Sequence, residues 1–256
     1  MKRAEEMQGA GQPVQNGDPE AVCLSGIGLS LAGREIFSGL DLSLSERRIG
    51  IVGRNGSGKS TLARVMTGLQ APDRGEVRVM GVDVAKDRRA AIRTIGILFQ
   101  NPDHQIIFPT VGEELAFGLR QQGRSKADAR DAVRAMLARF GKTAWEERSV
   151  ETLSQGQKHL VCLMAVLVLE PALIVLDEPF TGLDIPTTRA LQRHLAELAP
   201  ILIHITHDIT ALDGYERAIW IEAGRVAQDG PAEAVLAEYL AAMVREDADA
   251  GAGLAD

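Results

Sequence analysis

The chain has 256 residues, 45% apolar and 25% charged, with 28 basic against 35 acidic side chains for a net charge of -7. This length allows one large domain or two modest ones, and this composition excludes a disordered chain, a collagen or a coiled-coil rod. The acidic balance also argues against a non-specific nucleic-acid binder, which neutralises phosphates with an excess of Lys and Arg.

Residues 1–20 are polar, carry Gly11, Pro13, Asn16-Gly17 and Pro19, and read as a flexible leader with no apolar core of a signal peptide. From Val22 to Leu44, alternating apolar residues (Ile27, Leu29, Leu31; Leu40, Leu42, Leu44) predict half-buried antiparallel strands. Ile49 to Val52 is a short apolar strand running into a glycine-dense turn, and a helix follows from about Lys59 to Thr67, stopped by Gly68 and Pro72. Val77, Val79 and Val82 alternate as strand material, and Ile95 to Phe99 is another strand. Helical spacing then takes over in Thr110–Leu119, Lys126–Phe140 and Gln155–Leu169. Leu173–Leu176 and Ile201–Ile205 are compact apolar strands of the kind a parallel sheet covers on both faces, with a helix over Thr187–Leu198 between them. Ala218–Ile221 and Arg225–Ala227 predict a hairpin turning at Glu222-Ala223-Gly224, and Pro231 to about Arg245 one last helix with a frayed tail.

The longest apolar run, Leu160–Leu169, is ended by Glu170 and Pro171, well short of the ~20 residues a membrane span needs. Cys23 and Cys162 stand far apart, which indicates neither a disulfide framework nor a metal cluster and makes a cytosolic location the default expectation. The expected fold class is α/β: a nucleotide-binding core with a helical insertion in its middle.

Gly53-Arg54-Asn55-Gly56-Ser57-Gly58-Lys59-Ser60 fits G-x-x-x-x-G-K-[ST] between a predicted strand and a predicted helix. Gly53, Gly56 and Gly58 let successive backbone N–H groups curl around phosphate oxygens, and the helix N-terminus adds its unpaired donors. Lys59 would bridge the β- and γ-phosphates and the Ser60 hydroxyl would ligate Mg2+. A guanine-reading N-K-x-D is absent: the three asparagines, Asn16, Asn55 and Asn101, do not precede Lys-x-Asp, which favours ATP. The apolar strand at Leu173 ends in Asp177-Glu178, an Asp suited to the Mg2+ shell and a Glu suited to general-base work on water. Leu153-Ser154-Gln155-Gly156-Gln157 opens a helix with Ser154 as a good N-cap. His204 lies inside an apolar strand and reads as a satisfied core residue; His194 falls on a helix surface and His159 just after Gln157, none with a metal-ligand partner at suitable spacing.

In that order, the phosphate loop, Gln100, Leu-Ser-x-Gly-Gln, the strand-terminal Asp-Glu and His207 resemble an ATP-binding-cassette (ABC) ATPase over about residues 20–230. The resemblance implies a RecA-like P-loop core with an antiparallel β subdomain and an inserted α-helical subdomain at about 105–170. The ATPase domain would span 21–245, with 246–256 as a disordered tail. Gly53 to Thr61, including Arg54, Asn55 and Ser57, match the Walker A loop, and Leu173 to Glu178 match Walker B, with Asp177 on the metal and Glu178 as catalytic carboxylate. Gln100 matches the Q-loop glutamine that senses Mg2+ and the attacking water, and His207 the switch histidine on the γ-phosphate. Ser154, Gly156 and Gln157 match the signature that contacts ATP held by an opposite subunit, and Asp184 closes the D-loop Thr181-Gly182-Leu183-Asp184. The site would therefore need two ATPase subunits, here a homodimer facing head to tail.

Two departures matter. Gln155 fills the third signature position, usually glycine, and no aromatic stands at Leu31, Ala32 or Gly33, where the family stacks adenine. Loss of that platform, where stacking is worth roughly 1–3 kcal/mol per base, predicts weaker nucleotide affinity in the monomer. One phosphate loop and no room for a long coiled coil leave membrane transport, with the membrane domain on separate chains. Asn101–Gln105 and Thr110–Gly118 resemble the Q-loop and Q-helix of energy-coupling-factor ATPases, whose groove takes a transmembrane T component; Glu113 or Glu114 could face it. The stretch Glu46–Arg64 is similar to the ATPases of biotin importers, with cobalt or nickel importers of the same group, or a soluble nucleotide switch without membrane partner, as alternatives. The resemblance places the chain peripherally on the cytoplasmic face of the membrane. Its partners there would be the T component and a substrate-binding S component, with no nucleic acid.

Overall fold

The computed structural model describes residues 21–198 and 200–252. The leader expected at residues 1–20 lies outside them. Of the tail expected at 246–256, the backbone of 246–252 continues the last helix, and 253–256 lie outside the described residues.

Two sheets share one core. Strands β1 (Val22–Leu31) and β2 (Arg34–Leu44) form an antiparallel hairpin, extended by β4 (Arg74–Val79) and β5 (Val82–Asp83) in the order β2-β1-β4-β5. Of the alternating residues read from the sequence, Ile27, Leu29, Leu40, Leu42 and Leu44 are buried; Leu24 and Phe37 join them across register shifts, and Leu31 at the end of β1 is exposed. A two-residue turn closes the hairpin with Ala32 and Gly33 both at positive φ, 48° and 80°, the conformation whose twist matches the flanking strands.

The second sheet has the order β10-β9-β3-β8-β7-β6, where β3 is Arg48–Val52, β6 Ile95–Leu98, β7 Leu173–Asp177, β8 Ile201–Ile205, β9 Arg217–Glu222 and β10 Arg225–Pro231. Its strands run parallel except for the β9–β10 hairpin at one edge. The continuous apolar runs of β3, β7 and β8 follow from burial on both faces. Those three strands are neighbours, with Ile51 and Asp177 both registered on Ile205, so their carboxyl ends open at one edge. Ligands of open α/β sheets bind at that edge.

Helix α1 (Lys59–Met66) follows β3 and buries Leu62, Ala63, Val65 and Met66 in the same core. Helices α3 (Val111–Gln121), α4 (Lys126–Arg139) and α5 (Gln155–Leu167) gather a second core around Leu115, Leu119, Val133, Leu137, Val161 and Met164. Helix α6 (Ile185–Ala196) begins two residues before the expected Thr187, because Asp184 caps it and Pro186 suits its first turn. The closing helix α7 (Ala232–Ala252) outruns the expected end near Arg245. Helix α2 (Arg88–Thr94) escapes the periodicity reading because Ala91 is its one buried residue, leaving no apolar stripe; its signal is the capping Asp87, which accepts from the Ala90 amide at 2.9 Å.

Candidate functional site

The loop between β3 and α1 rises at the open edge of the parallel sheet. Gly58 caps α1 at φ 108°, and a Cβ built there would stand 3.1 Å from the Phe37 ring, so the loop lies against the β1–β2 hairpin only as glycine. The Lys59 ammonium is buried and donates to the Gly53 carbonyl at 2.7 Å and the Arg54 carbonyl at 3.0 Å. Burial pushes its pKa down, while the carboxylates of Glu178, Asp177 and Glu222 oppose that shift. The Ser57 hydroxyl is buried with no partner among the described residues, a polar atom left for something the loop would enclose.

Ser60 and Asp177 are 117 positions apart in sequence, yet the Ser60 hydroxyl donates to Asp177 Oδ1 at 3.0 Å. Burial pushes the Asp177 carboxyl up; the Ser60 hydrogen bond opposes this and the neighbouring Glu178 charge adds to it. A desolvated carboxylate beside a hydroxyl is a pair of hard oxygen donors that a small divalent cation would satisfy.

Glu178 sits at φ 51°, in the left-handed region that costs a non-glycine residue on the order of 1–3 kcal/mol. Its amide donates to the Ile205 carbonyl at 2.9 Å, and its own carbonyl accepts from the Thr181 amide at 3.3 Å, which holds the strained turn. The turn aims the carboxylate at His207, whose Nδ1 lies 2.8 Å from Glu178 Oε2; the Thr206 hydroxyl donates to the same oxygen at 3.4 Å.

These groups line one cavity of about 430 Å³ that brings together Asn55, Gly56, Gly58, Lys59, Ser60, Thr61, Gln100, Glu178 and His207. Gly53, Arg54 and Ser57 belong to the same loop, and Asp177 reaches the cavity through Ser60. The sequence reading missed two further lining residues, Arg34 and Ile36. Leu31 is exposed and pairs with Arg34 across the hairpin, and Arg34 lines the cavity, so the tip where an aromatic is missing stands beside the loop between β3 and α1. The available signal was the two-residue turn itself, which puts Arg34 opposite Leu31.

Ser154, Gly156 and Gln157 line a different cavity, of about 320 Å³, with Thr187, Trp145 and Lys142. Ser154 and Gln157 form a reciprocal cap: the Gln157 amide donates to Ser154 Oγ at 3.3 Å and Gln157 Oε1 accepts from the Ser154 amide at 3.1 Å. Gln155 is exposed, so its side chain meets no obstacle, whereas a Cβ on Gly156 would stand 2.6 Å from Thr187 Cγ2. Asp184 enters neither cavity; its carboxylate accepts from the Thr187 amide at 2.8 Å, and this bond and the Thr187 side chain hold its pKa down.

The acidic pair on α3 separates. Glu113 lines an open cavity of about 660 Å³ with Phe108, Phe117, Arg120 and Arg130. Glu114 is buried, accepting from the Ile107 amide at 2.8 Å and the Phe108 amide at 2.9 Å, and so braces the entry to α3 instead of facing a groove. The histidines meet expectation only in part. His204 is in the core with Nδ1 3.1 Å from the Tyr215 hydroxyl, but its Nε2 has no partner among the described residues, so it is only half satisfied. His194 is not on an open surface; its ring packs 4.4 Å from that of Phe140. His159 is buried, with both ring nitrogens on carbonyl oxygens. Among the described residues no group of His, Cys, Asp and Glu could by itself hold a metal ion, and no helix is long and apolar enough to cross a membrane.

The sequence profile of the ABC transporter family matches residues 37–181. The chain is 50% identical over 224 residues to the biotin transport ATP-binding protein BioM of Rhodobacter capsulatus, covering 88% of this chain and 96% of that protein. BioM of Rhizobium etli is 40% identical over 212 residues, 83% of this chain and 94% of its own length. Among solved structures the fold matches cbiO1 from Clostridium perfringens, part of the ABC transporter complex cbiONQ, at TM-score 0.74 and 28% identity, over 87% of this chain and 92% of that one.

Proposed function

The chain belongs to the ABC transporter family, an ATP-binding subunit whose hydrolysis of ATP drives transport, and from that premise we propose that it is the A component of an energy-coupling-factor importer for biotin. It would work as a homodimer at the cytoplasmic face of the membrane. The observation that carries the two-subunit reading is the split of the site. Lys59, Ser60, Glu178 and His207 share one cavity, while Ser154 and Gly156 line another, so a second chain would have to present its signature to the first chain's phosphates.

The geometry supports a role for each residue. Lys59 would exchange the Gly53 and Arg54 carbonyls for phosphate oxygens, a stronger charge-assisted partner. Amides of Asn55 to Thr61 and the Ser57 hydroxyl would line the phosphates, at a helix N-terminus that favours negative charge. Ser60 and Asp177 would hold Mg2+, with Gln100 at the same cavity; the ion when bound neutralises charge on the β- and γ-phosphates. Glu178 would orient and deprotonate water, and His207, fixed on the Glu178 carboxylate, would reach the γ-phosphate. Asp184, by capping α6, would set the D-loop that meets the partner chain.

The cavity around Glu113, Phe108 and Phe117 would seat an amphipathic helix of the membrane T component: the two rings offer apolar surface and Glu113 a counter-charge for one basic side chain, beside the cationic Arg120, Lys126 and Arg130 of the same lining. The biotin cargo rests on the 50% identity to BioM, since the vitamin itself would sit on a membrane S component. The test is co-expression with the membrane proteins encoded beside the gene, co-purification, and ATP-dependent uptake of labelled biotin against Co2+. Biotin uptake is expected; Co2+ uptake without biotin would move the chain to a metal importer. In the co-purified complex Glu178→Gln should keep ATP bound but stop turnover, and undiminished turnover would remove Glu178 from its role.

A further inference from the structure

His159 is a buried ionisable group for which the proposed chemistry has no use, and it lies between the two half-sites. It lies one turn into α5, 1% exposed, five residues after the capping Ser154. Its Nε2 is 3.0 Å from the carbonyl oxygen of Gln100, and its Nδ1 is 3.2 Å from the carbonyl of Gln155. The Gln155 carbonyl is the i−4 acceptor of the helix and already has the His159 amide as donor. Gln100 lies beyond the end of β6, so its carbonyl has no ladder to join; we assign the ring proton to Nε2, where the imidazole can donate to that oxygen. Gln100 lines the cavity of the phosphate loop, and Gln155 opens the helix that carries Ser154 and Gly156.

Neighbouring contacts make this a tether of one segment to one helix. Lys158 Nζ pairs with Asp103 Oδ1 at 2.6 Å, and Cys162 Sγ lies 4.0 Å from the Pro102 carbonyl. The segment is braced from its other side as well: Gln105 Oε1 accepts from the Phe99 amide at 3.2 Å, and Gln105 Nε2 donates to the Ile97 carbonyl at 3.4 Å. Residues 99–105 therefore form a short strut from β6 to α5, with His159 as its buried pin.

We propose that His159 is a positioning residue that couples the two half-sites, transmitting displacement of Gln100 at the nucleotide to the signature end of α5. This rests on the nucleotide reading of the Gln100 cavity. The pin is a directional N–H on a rigid ring, so removing the donor while keeping apolar bulk should leave ATP bound and disconnect α5 from it.

Trp145 is the reporter the fold supplies. It lines the same cavity as Ser154 and Gly156, and with Trp220 it makes up the tryptophans of the chain. In a Trp220→Phe background of the full chain, ATP should change Trp145 emission, and His159→Leu should abolish the change with ATP affinity within about twofold of its parent. His159→Gln, which keeps an N–H donor, should restore the response. Turnover with the membrane partners should fall on the order of tenfold to a hundredfold in His159→Leu through kcat with KM retained, as for a misplacement remote from the chemistry.

Several results would overturn the coupling: an unchanged Trp145 response in His159→Leu, equal loss in the Gln and Leu variants, or a parent that binds ATP without any response. If His159→Leu does not fold, Lys158→Ala combined with Asp103→Ala tests the exposed arm of the tether, and a full response there overturns the strut. A parent that binds no ATP would instead refute the nucleotide reading itself.

Discussion

Acid should unfold this protein early, and His204 is the reason. The ring is 1% exposed on β8, edge-on to Phe180 and bonded to the Tyr215 hydroxyl; burial pulls its pKa from 6.5 down to about 4, against a weak opposing pull from Asp208. Tyr215 stays neutral throughout, its own pKa pushed up to about 12 by burial. The unfolded chain therefore binds a proton at His204 that the folded chain refuses, and stability is full above pH 6.5 and falls as pH drops from 6.5 through 4. At about 1.36 kcal/mol per unit the complete shift amounts to roughly 3 kcal/mol, of which about 2 kcal/mol is lost between pH 7 and pH 5. Replacing His204 with Phe leaves the Tyr215 hydroxyl unpaired at both pH values but removes the titration. Urea unfolding of both proteins at pH 7 and pH 5 gives a double difference in which other titrating groups cancel. The wild type should lose about 2 kcal/mol more than the variant. Equal losses in the two proteins would refute a neutral, buried His204.

Gly156→Ala sets helix propensity against packing: alanine gains about 1 kcal/mol in a helix, but the new methyl would meet Thr187 Cγ2 at 2.6 Å. Overpacking of that kind costs about 1–3 kcal/mol, so the variant should be no more stable than wild type and Thr187→Ala should rescue it in the double mutant; absence of rescue in thermal melts removes the packing explanation. Glu114→Ala strands the amides of Ile107 and Phe108 and should cost about 2–4 kcal/mol by urea unfolding, whereas Glu113→Ala should cost under about 1 kcal/mol and act on co-purification with the membrane partner.

Much of the molecule was legible in advance because its signals are local. A strand, a glycine loop and a helix are contiguous at Ile49–Met66, so spacing alone placed that loop between the two elements. Apolar runs announced β7 and β8, and the strand-end position of Asp177 and Glu178 followed from them. Where the local signal was weak the reading failed: α2 carries no apolar stripe, and α7 passes its expected end without a breaker.

What only tertiary structure decided concerns pairs distant in the chain. Ser60 meets Asp177, Glu178 meets His207, and His159 meets Gln100 because parallel strands and the inserted helices bring separate segments to one edge of a sheet. The fates of Glu113 and Glu114 show the limit most sharply. As adjacent acids at a helix start they look equivalent, but the loop at Ile107 and Phe108 folds its amides over one of them. Residue spacing fixes which face of an element is apolar; which buried donors and acceptors then find each other depends on how separate elements pack, and periodicity along the chain does not carry that.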